Sequence, residues 1–227
     1  MDYRFERKFI TFDVSPKRAV FLVRRHPAMF REVYPQRWVN NIYFDTLDLT
    51  NVQDNVAGVS QRMKIRIRWY GDSLGRIETP VLELKIKRGW VNRKVLHRLA
   101  TLEAGGACCS SRIREMLERS AIPEALALQM RLLRPTLMNR YSRHYYQSAN
   151  GHYRITIDAQ MSFRPIMPLT KHPVQWTNAH SVVVLELKYA MDHDNNAAAI
   201  AQHLPLRVSK SSKYVAGMCL VYPRLVC

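Results

Sequence analysis

Cysteines, carboxylates and long apolar runs are all scarce in this chain of 227 residues. Cys108, Cys109, Cys219 and Cys227 form no CxxC pair, and adjacent cysteines rarely bridge. A zinc site is therefore disfavoured, and a reduced, cytoplasmic chain is expected. No apolar stretch approaches the ~18 residues a membrane span needs. Met1-Asp2-Tyr3-Arg4 does not open a signal peptide. The eight histidines are scattered, without an HExxH or HxH pair, and neither a Walker loop nor GxGxxG occurs. The P-loop and Rossmann ways of holding a nucleotide are thus unsupported. Asp and Glu number 18 against 35 Lys and Arg, a net charge of +17. That excess attracts nucleic acid, phosphate polymers, nucleotides or an acidic membrane surface, and does not choose among them. The apolar fraction of 47% is that of a folded globular chain.

What is present is alternation. Arg62, Lys64, Arg66 and Arg68 interleave with Met63, Ile65, Ile67 and Trp69. Glu83, Lys85 and Lys87 interleave with Leu82, Leu84 and Ile86, and Glu186 and Lys188 with Leu185, Leu187 and Tyr189. Glu6 and Lys8 sit two apart, as do Arg154, Thr156 and Asp158. Strand side chains alternate faces, so each stretch has one apolar and one charged face. Four cations on one strand cannot be buried unpaired. They face solvent on an open sheet, or they share a lumen with an anionic ligand. Several such strands together favour the lumen.

Strands are expected over residues 3–12, 38–45, 61–70, 79–88, 91–100, 137–147, 153–158 and 181–189. A helix starts at Ser15-Pro16, two more lie over 110–120 and 124–133, and others cover 194–204 and 209–221. The expected fold is α+β: one domain over 1–227, an eight-stranded, mainly antiparallel closed β tunnel, a helical insertion at about 108–135 and a closing helix at about 209–222. Asp45 and Asp48 read as turn residues. Asp158 reads as a partner of Arg154, or as a second metal ligand. Glu83 and Glu186 each open a Glu-Leu-Lys tripeptide. Each carboxylate either orients its lysine or binds a hard divalent cation. Lys210 and Lys213 share a face of the last helix, where Ser209, Ser211 and Ser212 add hydroxyls to an anion cradle; a solvated first turn is the plainer alternative.

In order, these stretches resemble the VTC domain, the polyphosphate polymerase branch of the triphosphate tunnel metalloenzymes (the CYTH-like fold), over roughly residues 3–222. The carriers are Phe5-Glu6-Arg7-Lys8-Phe9, Asn41-Ile42-Tyr43-Phe44-Asp45, Lys64-Ile65-Arg66-Ile67-Arg68-Trp69-Tyr70-Gly71, Leu82-Glu83-Leu84-Lys85, Arg140-Tyr141-Ser142-Arg143, Tyr153-Arg154-Ile155-Thr156-Ile157-Asp158, Leu185-Glu186-Leu187-Lys188 and Ser212-Lys213-Tyr214. The resemblance implies a tunnel in which Lys8, Lys64, Arg66, Arg68, Lys85, Arg143, Arg154, Lys188, Lys210 and Lys213 hold phosphates. On the fifth strand Arg93 or Lys94 would join them. Arg66, Arg68 and Lys213 would be catalytic, and Glu186, with Glu6 and Glu83, would hold Mn2+ or Mg2+. The superfamily opens with Glu-x-Glu-x-Lys; here Arg4 takes the first position. Fewer carboxylates favour a long polyanion over a hydrolytic two-metal site.

The expected function is transfer of the γ-phosphoryl group of ATP to polyphosphate. The alternatives are an inorganic or nucleoside triphosphatase of the same fold and a non-catalytic polyphosphate- or nucleic-acid-binding module. ATP and polyphosphate are the expected partners. No specific nucleic acid and no transmembrane segment are expected, and peripheral contact with an acidic membrane is compatible with the charge.

Overall fold

The computed structural model describes residues 4–88, 91–104, 110–166 and 175–226. In chain order the elements are β1 (Arg4–Thr11), α1 (Pro16–Arg24), β2 (Arg31–Asp45), α2 (Thr50–Ala57), β3 (Gln61–Tyr70), β4 (Gly75–Ile77), β5 (Val81–Arg88), β6 (Val91–Arg98) and β7 (Leu102–Ala104). Then come α3 (Ser110–Glu118), α4 (Glu124–Arg131), β8 (Arg134–Gln147), β9 (Tyr153–Pro165), β10 (Thr177–Ala179), β11 (Val183–Ala190), a 3-10 turn at Met191–His193, α5 (Asp194–Gln202), α6 (Lys213–Val221) and α7 (Pro223–Val226). The class is α+β with a mostly antiparallel sheet.

The hydrogen-bonded strand order is β1-β11-β9-β8-β2-β3-β5-β6, with β10 on β9 and a separate β4-β7 ribbon. Eleven strands are thus described where eight were expected; β4, β7 and β10 have three residues each, too few to show a period of two. The expected strands also lengthen: β2 begins at Arg31 and β9 runs on to Pro165.

The chain divides into two compact units. The first comprises Met1–Trp38, Tyr141–Ser162 and Asn178–Ser212. In it, β1 pairs with β11 in the register Lys8↔Glu186, and β11 with β9 in the register Glu186↔Thr156 and Lys188↔Arg154. One face is apolar: Phe9, Ile155, Ile157, Leu185 and Leu187 form a core with Ala19 and Val23 of α1 and Ala197 and Ala201 of α5. Ser15 caps α1, its Oγ accepting from the Arg18 amide at 3.3 Å, with Pro16 at the first turn.

The second unit comprises Val39–Arg140, Phe163–Thr177 and Lys213–Cys227. Here β3 lies between β2 and β5, with Asn41↔Arg68, Tyr43↔Arg66 and Arg66↔Glu83 in register. Ile42, Phe44, Ile65, Ile67, Leu82 and Leu84 form its apolar face. Ile113 and Met116 of α3 and Leu126 and Met130 of α4 pack against it. The helical insertion therefore covers an apolar sheet face that alternation would otherwise leave in water.

The closing helix begins at Lys213, not 209. Upstream, Val208 bridges Phe9, and the Ser209 amide donates to the Lys8 carbonyl at 2.7 Å. That extended pairing with β1 holds the backbone away from helical geometry, so the expected shared helix face of Lys210 and Lys213 does not exist. α6 is closely seated: a Cβ on Gly217 would lie 2.4 Å from Phe163 and 2.6 Å from Leu137.

Asp45, expected as a turn residue, is the last residue of β2. It is fully buried. Its carboxylate accepts from the amides of Thr46, Asn51 and Val52 at 2.8, 2.8 and 3.0 Å, supplying the cap of α2, a helix absent from the sequence reading. It also accepts from the Tyr214 hydroxyl at 2.6 Å. Burial first, and the Asp45 charge second, push the Tyr214 hydroxyl well above its ordinary pKa, so it stays a donor.

Cys219 is disulfide-bonded, against the expectation of reduced thiols. Cys108, Cys109 and Cys227 lie outside the described residues. Sequence spacing argues only about neighbouring pairs, whereas a bridge needs two Cα atoms brought close by the fold. Among the described residues no helix is long and apolar enough to cross a membrane.

Candidate phosphate-binding faces

In the second unit, strand pairing places Lys64, Arg66 and Arg68 of β3, Glu83 and Lys85 of β5, and Lys94 of β6 on one face. Arg93 stands opposite Ile86, on the other face, so Lys94 and not Arg93 shares the face of Glu83 and Lys85. Glu83 is the centre. Arg66 reaches one carboxylate oxygen through Nε at 2.7 Å and Nη2 at 2.6 Å. Lys94 Nζ lies 2.9 Å and Arg68 Nη1 3.5 Å from the other. Three cations thus share one carboxylate, leaving a positive excess on the face. Glu83 is thus the hub of an ion-pair cluster.

Burial pushes the Glu83 carboxyl up, but the fields of Arg66, Arg68 and Lys94 override it and hold the group at about 2. Because the folded value is depressed, the stabilisation is complete above the ordinary carboxylate range and is lost as pH falls through about 2. The size is on the order of 3 kcal/mol. Denaturant titrations between pH 5 and about 2 should therefore show a shallower loss of stability in Glu83→Gln than in the native protein. Parallel curves would show that Glu83 titrates normally.

Two residues the sequence reading left unassigned set the position of the arginines. Arg68 Nε donates to Asn41 Oδ1 at 2.9 Å, and Asn41 Nδ2 donates to Asn139 Oδ1 at 2.8 Å. Both asparagines are fully buried. Tyr43, on the face of Asn41, receives Arg66 Nη1 at 3.4 Å on its hydroxyl and stacks on Tyr214 at 4.8 Å and 20°. Lys213 immediately precedes Tyr214, so this stack fixes the start of α6 against β2. The signal was the alternation of Asn41 and Tyr43 on a strand whose intervening residues are Ile42 and Phe44.

In the first unit, Glu6, Lys8, Arg143, Arg154, Asp158, Glu186 and Lys188 carry the charge. Asp158, 0% exposed, takes a two-point bond from Arg143: Nε to Oδ1 at 2.5 Å and Nη2 to Oδ2 at 2.6 Å. The expected Asp158–Arg154 pair is thus replaced, because β8 supplies Arg143 across from Asp158 while Arg154 points into solvent on an exposed part of β9. Burial works against the Arg143 charge, but Asp158, with Tyr141 and Glu186, raises its pKa well above the ordinary value. Glu186 accepts from Lys188 at 2.6 Å and lies 3.6 Å from Arg143 and 4.0 Å from Lys8. Lys8 also approaches Glu6 at 3.1 Å and donates to the Ser211 carbonyl at 3.0 Å. The two Glu-Leu-Lys tripeptides therefore do the same thing: each buries a carboxylate beneath several cations. Lys210 is exposed, and Arg154 is exposed on the strand position facing Lys188.

Among the described residues no group of three or more His, Cys, Asp or Glu side chains could hold a metal. Glu6 and Glu186 nonetheless converge on one cation position, that of Lys8 Nζ. They are hard oxygen donors of the kind Mg2+ and Mn2+ take, and phosphate oxygens commonly complete such shells.

A family model described as the VTC domain matches residues 5–222. No curated protein matches in sequence. Among solved structures, a provisionally named adenylate cyclase from Vibrio parahaemolyticus has a TM-score of 0.53 at 12% identity, covering 95% of this chain and 98% of that one. A protein from Pyrococcus horikoshii OT3 has a TM-score of 0.48 at 13% identity, covering 96% and 99%. The Vibrio likeness is one of fold.

Proposed function

Since this chain belongs to the VTC domain family, of the triphosphate tunnel superfamily, we propose that it transfers the γ-phosphoryl group of ATP to the end of a growing polyphosphate chain. The observation that carries the reading is the face around Glu83, where Arg66, Arg68 and Lys94 share a single carboxylate and Lys64 and Lys85 add to the excess. Phosphoryl transfer asks for alignment and neutralisation of charge more than for covalent chemistry. Arg66 and Arg68, anchored by Glu83 and Asn41, present preset guanidinium groups to phosphate oxygens, and Lys213 adds a cation at the start of α6. Lys8, Lys188, Arg143 and Arg154 are the corresponding cations of the other unit.

A terminal phosphate oxygen of the polymer forms the new P–O bond to the γ-phosphorus. The bond from that phosphorus to the β–γ bridging oxygen breaks, and ADP leaves. The acceptor is already anionic, so no general base is required. Glu186 and Glu6 would hold Mn2+ or Mg2+, which supplies further neutralisation of phosphate charge. A hydrolytic reading needs a carboxylate to activate water. Glu83 and Asp158 are instead committed to cations, which supports the polymerase.

The test is incubation with ATP and Mn2+, with products resolved by length on a gel. A ladder of polyphosphate with stoichiometric ADP is expected. Orthophosphate without polymer would replace the reading with a triphosphatase. Binding of polyphosphate without any turnover would leave a binding module.

A further inference from the structure

The first unit carries an aromatic and cationic feature that the phosphate chemistry does not use. Arg37 of β2 lies between two tyrosines, its guanidinium carbon 4.8 Å from the Tyr34 ring centroid and 4.9 Å from that of Tyr145. The two rings meet edge to face, 5.7 Å apart at 84°. Tyr34 is 55% exposed, in a run from Arg31 to Gln36 that is exposed throughout. An aromatic ring in water that is nonetheless held by a cation and by a second ring is a rigid stacking surface. Its place is informative. On β8, alternation puts Tyr145 on the face of Arg143, two residues further along, a step of ~7 Å. Arg143 in turn lies 3.6 Å from Glu186, the carboxylate that Lys188 and Lys8 also approach. A flat apolar platform one short step from a cluster of phosphate-binding cations matches a ligand with a base at one end and phosphates at the other, joined by a sugar.

We propose that Tyr34, backed by Arg37 and Tyr145, stacks the base of a nucleoside triphosphate whose phosphates lie on the Lys8, Arg143 and Lys188 face. This rests on the reading of that face as a phosphate site, and it makes the donor a nucleotide, not an inorganic polyphosphate. Stacking uses the π face that every base has, so the platform selects for a base before it selects among bases. Tyr34→Phe keeps that face; Tyr34→Ala removes it.

The experiment is calorimetric titration of the native protein, Tyr34→Ala and Tyr34→Phe with ATP and, separately, with tripolyphosphate. Tyr34→Ala should weaken ATP roughly tenfold to a hundredfold, leave tripolyphosphate unchanged, and be rescued by Tyr34→Phe. Equal weakening of both ligands would show a structural effect and overturn the platform, as would unchanged ATP affinity in Tyr34→Ala. A native protein that binds tripolyphosphate but not ATP would also overturn it. Binding of neither would remove the phosphate reading and the platform with it. Selective loss of ATP in a protein that makes no polymer would keep the platform and remove the polymerase.

Discussion

Arg66→Ala combined with Arg68→Ala is expected to lower ATP turnover by roughly a thousandfold or more, the scale on which arginine contacts to a transferring phosphoryl group act. These side chains also neutralise Glu83, which is 6% exposed. In the double variant Lys94 alone, among the described residues, remains against it, so some stability is lost with the activity. The two effects separate in a triple variant. Adding Glu83→Gln removes the buried charge and should recover most of the melting temperature, while turnover stays at the level of the double variant. Initial rates of ADP release and thermal melts on the same preparations read the two quantities. A folded double variant with native turnover would take the catalytic role away from these arginines.

Removing Arg143 should be the most damaging single change to stability. Arg143→Met leaves the carboxylate of Asp158 fully buried without its two-point partner, and such losses cost about 3–5 kcal/mol. Replacing both members, Arg143→Met with Asp158→Leu, should regain much of that, because an apolar pair has no charge to desolvate. Urea denaturation of the native protein, the single and the double variant measures this directly. A single variant within about 1 kcal/mol of native stability would show that Asp158 finds another cation. Activity should be lost in both variants if Arg143 also meets phosphate, and kept in the stable double variant if its task is only to neutralise Asp158.

Much of this was legible along the chain. The alternation in β3, β5 and β11 identified which residues share a face, since strand side chains take direction from the backbone two residues at a time. It correctly separated Ile65 and Ile67, which are buried in the core, from Arg66 and Arg68. It could not say that Arg68 leans on Asn41, 27 residues away, or that Asn41 rests on Asn139, 98 residues away. Asparagine carries no net charge and no periodic signature, so a buried amide pair looks like any polar residue in a strand. Arg93 and Lys94 are adjacent in sequence and indistinguishable by composition; only the register of β6 on β5 separates them.

The sequence by itself determined the sign of the protein and the apolar and charged faces of its principal strands, because charge is additive and strand alternation is local; the family followed from the resemblance of its motifs in order. Tertiary structure alone decided how the charges are shared. Asp158 bonds Arg143 and not Arg154, Glu83 is shared by three cations, and Asp45 is locked between α2 and Tyr214, 169 residues on. The physical reason is that ion pairing inside a fold falls off over a few ångströms and depends on which strands come to lie side by side. A pattern with a period of two residues specifies a face but not the neighbour across it.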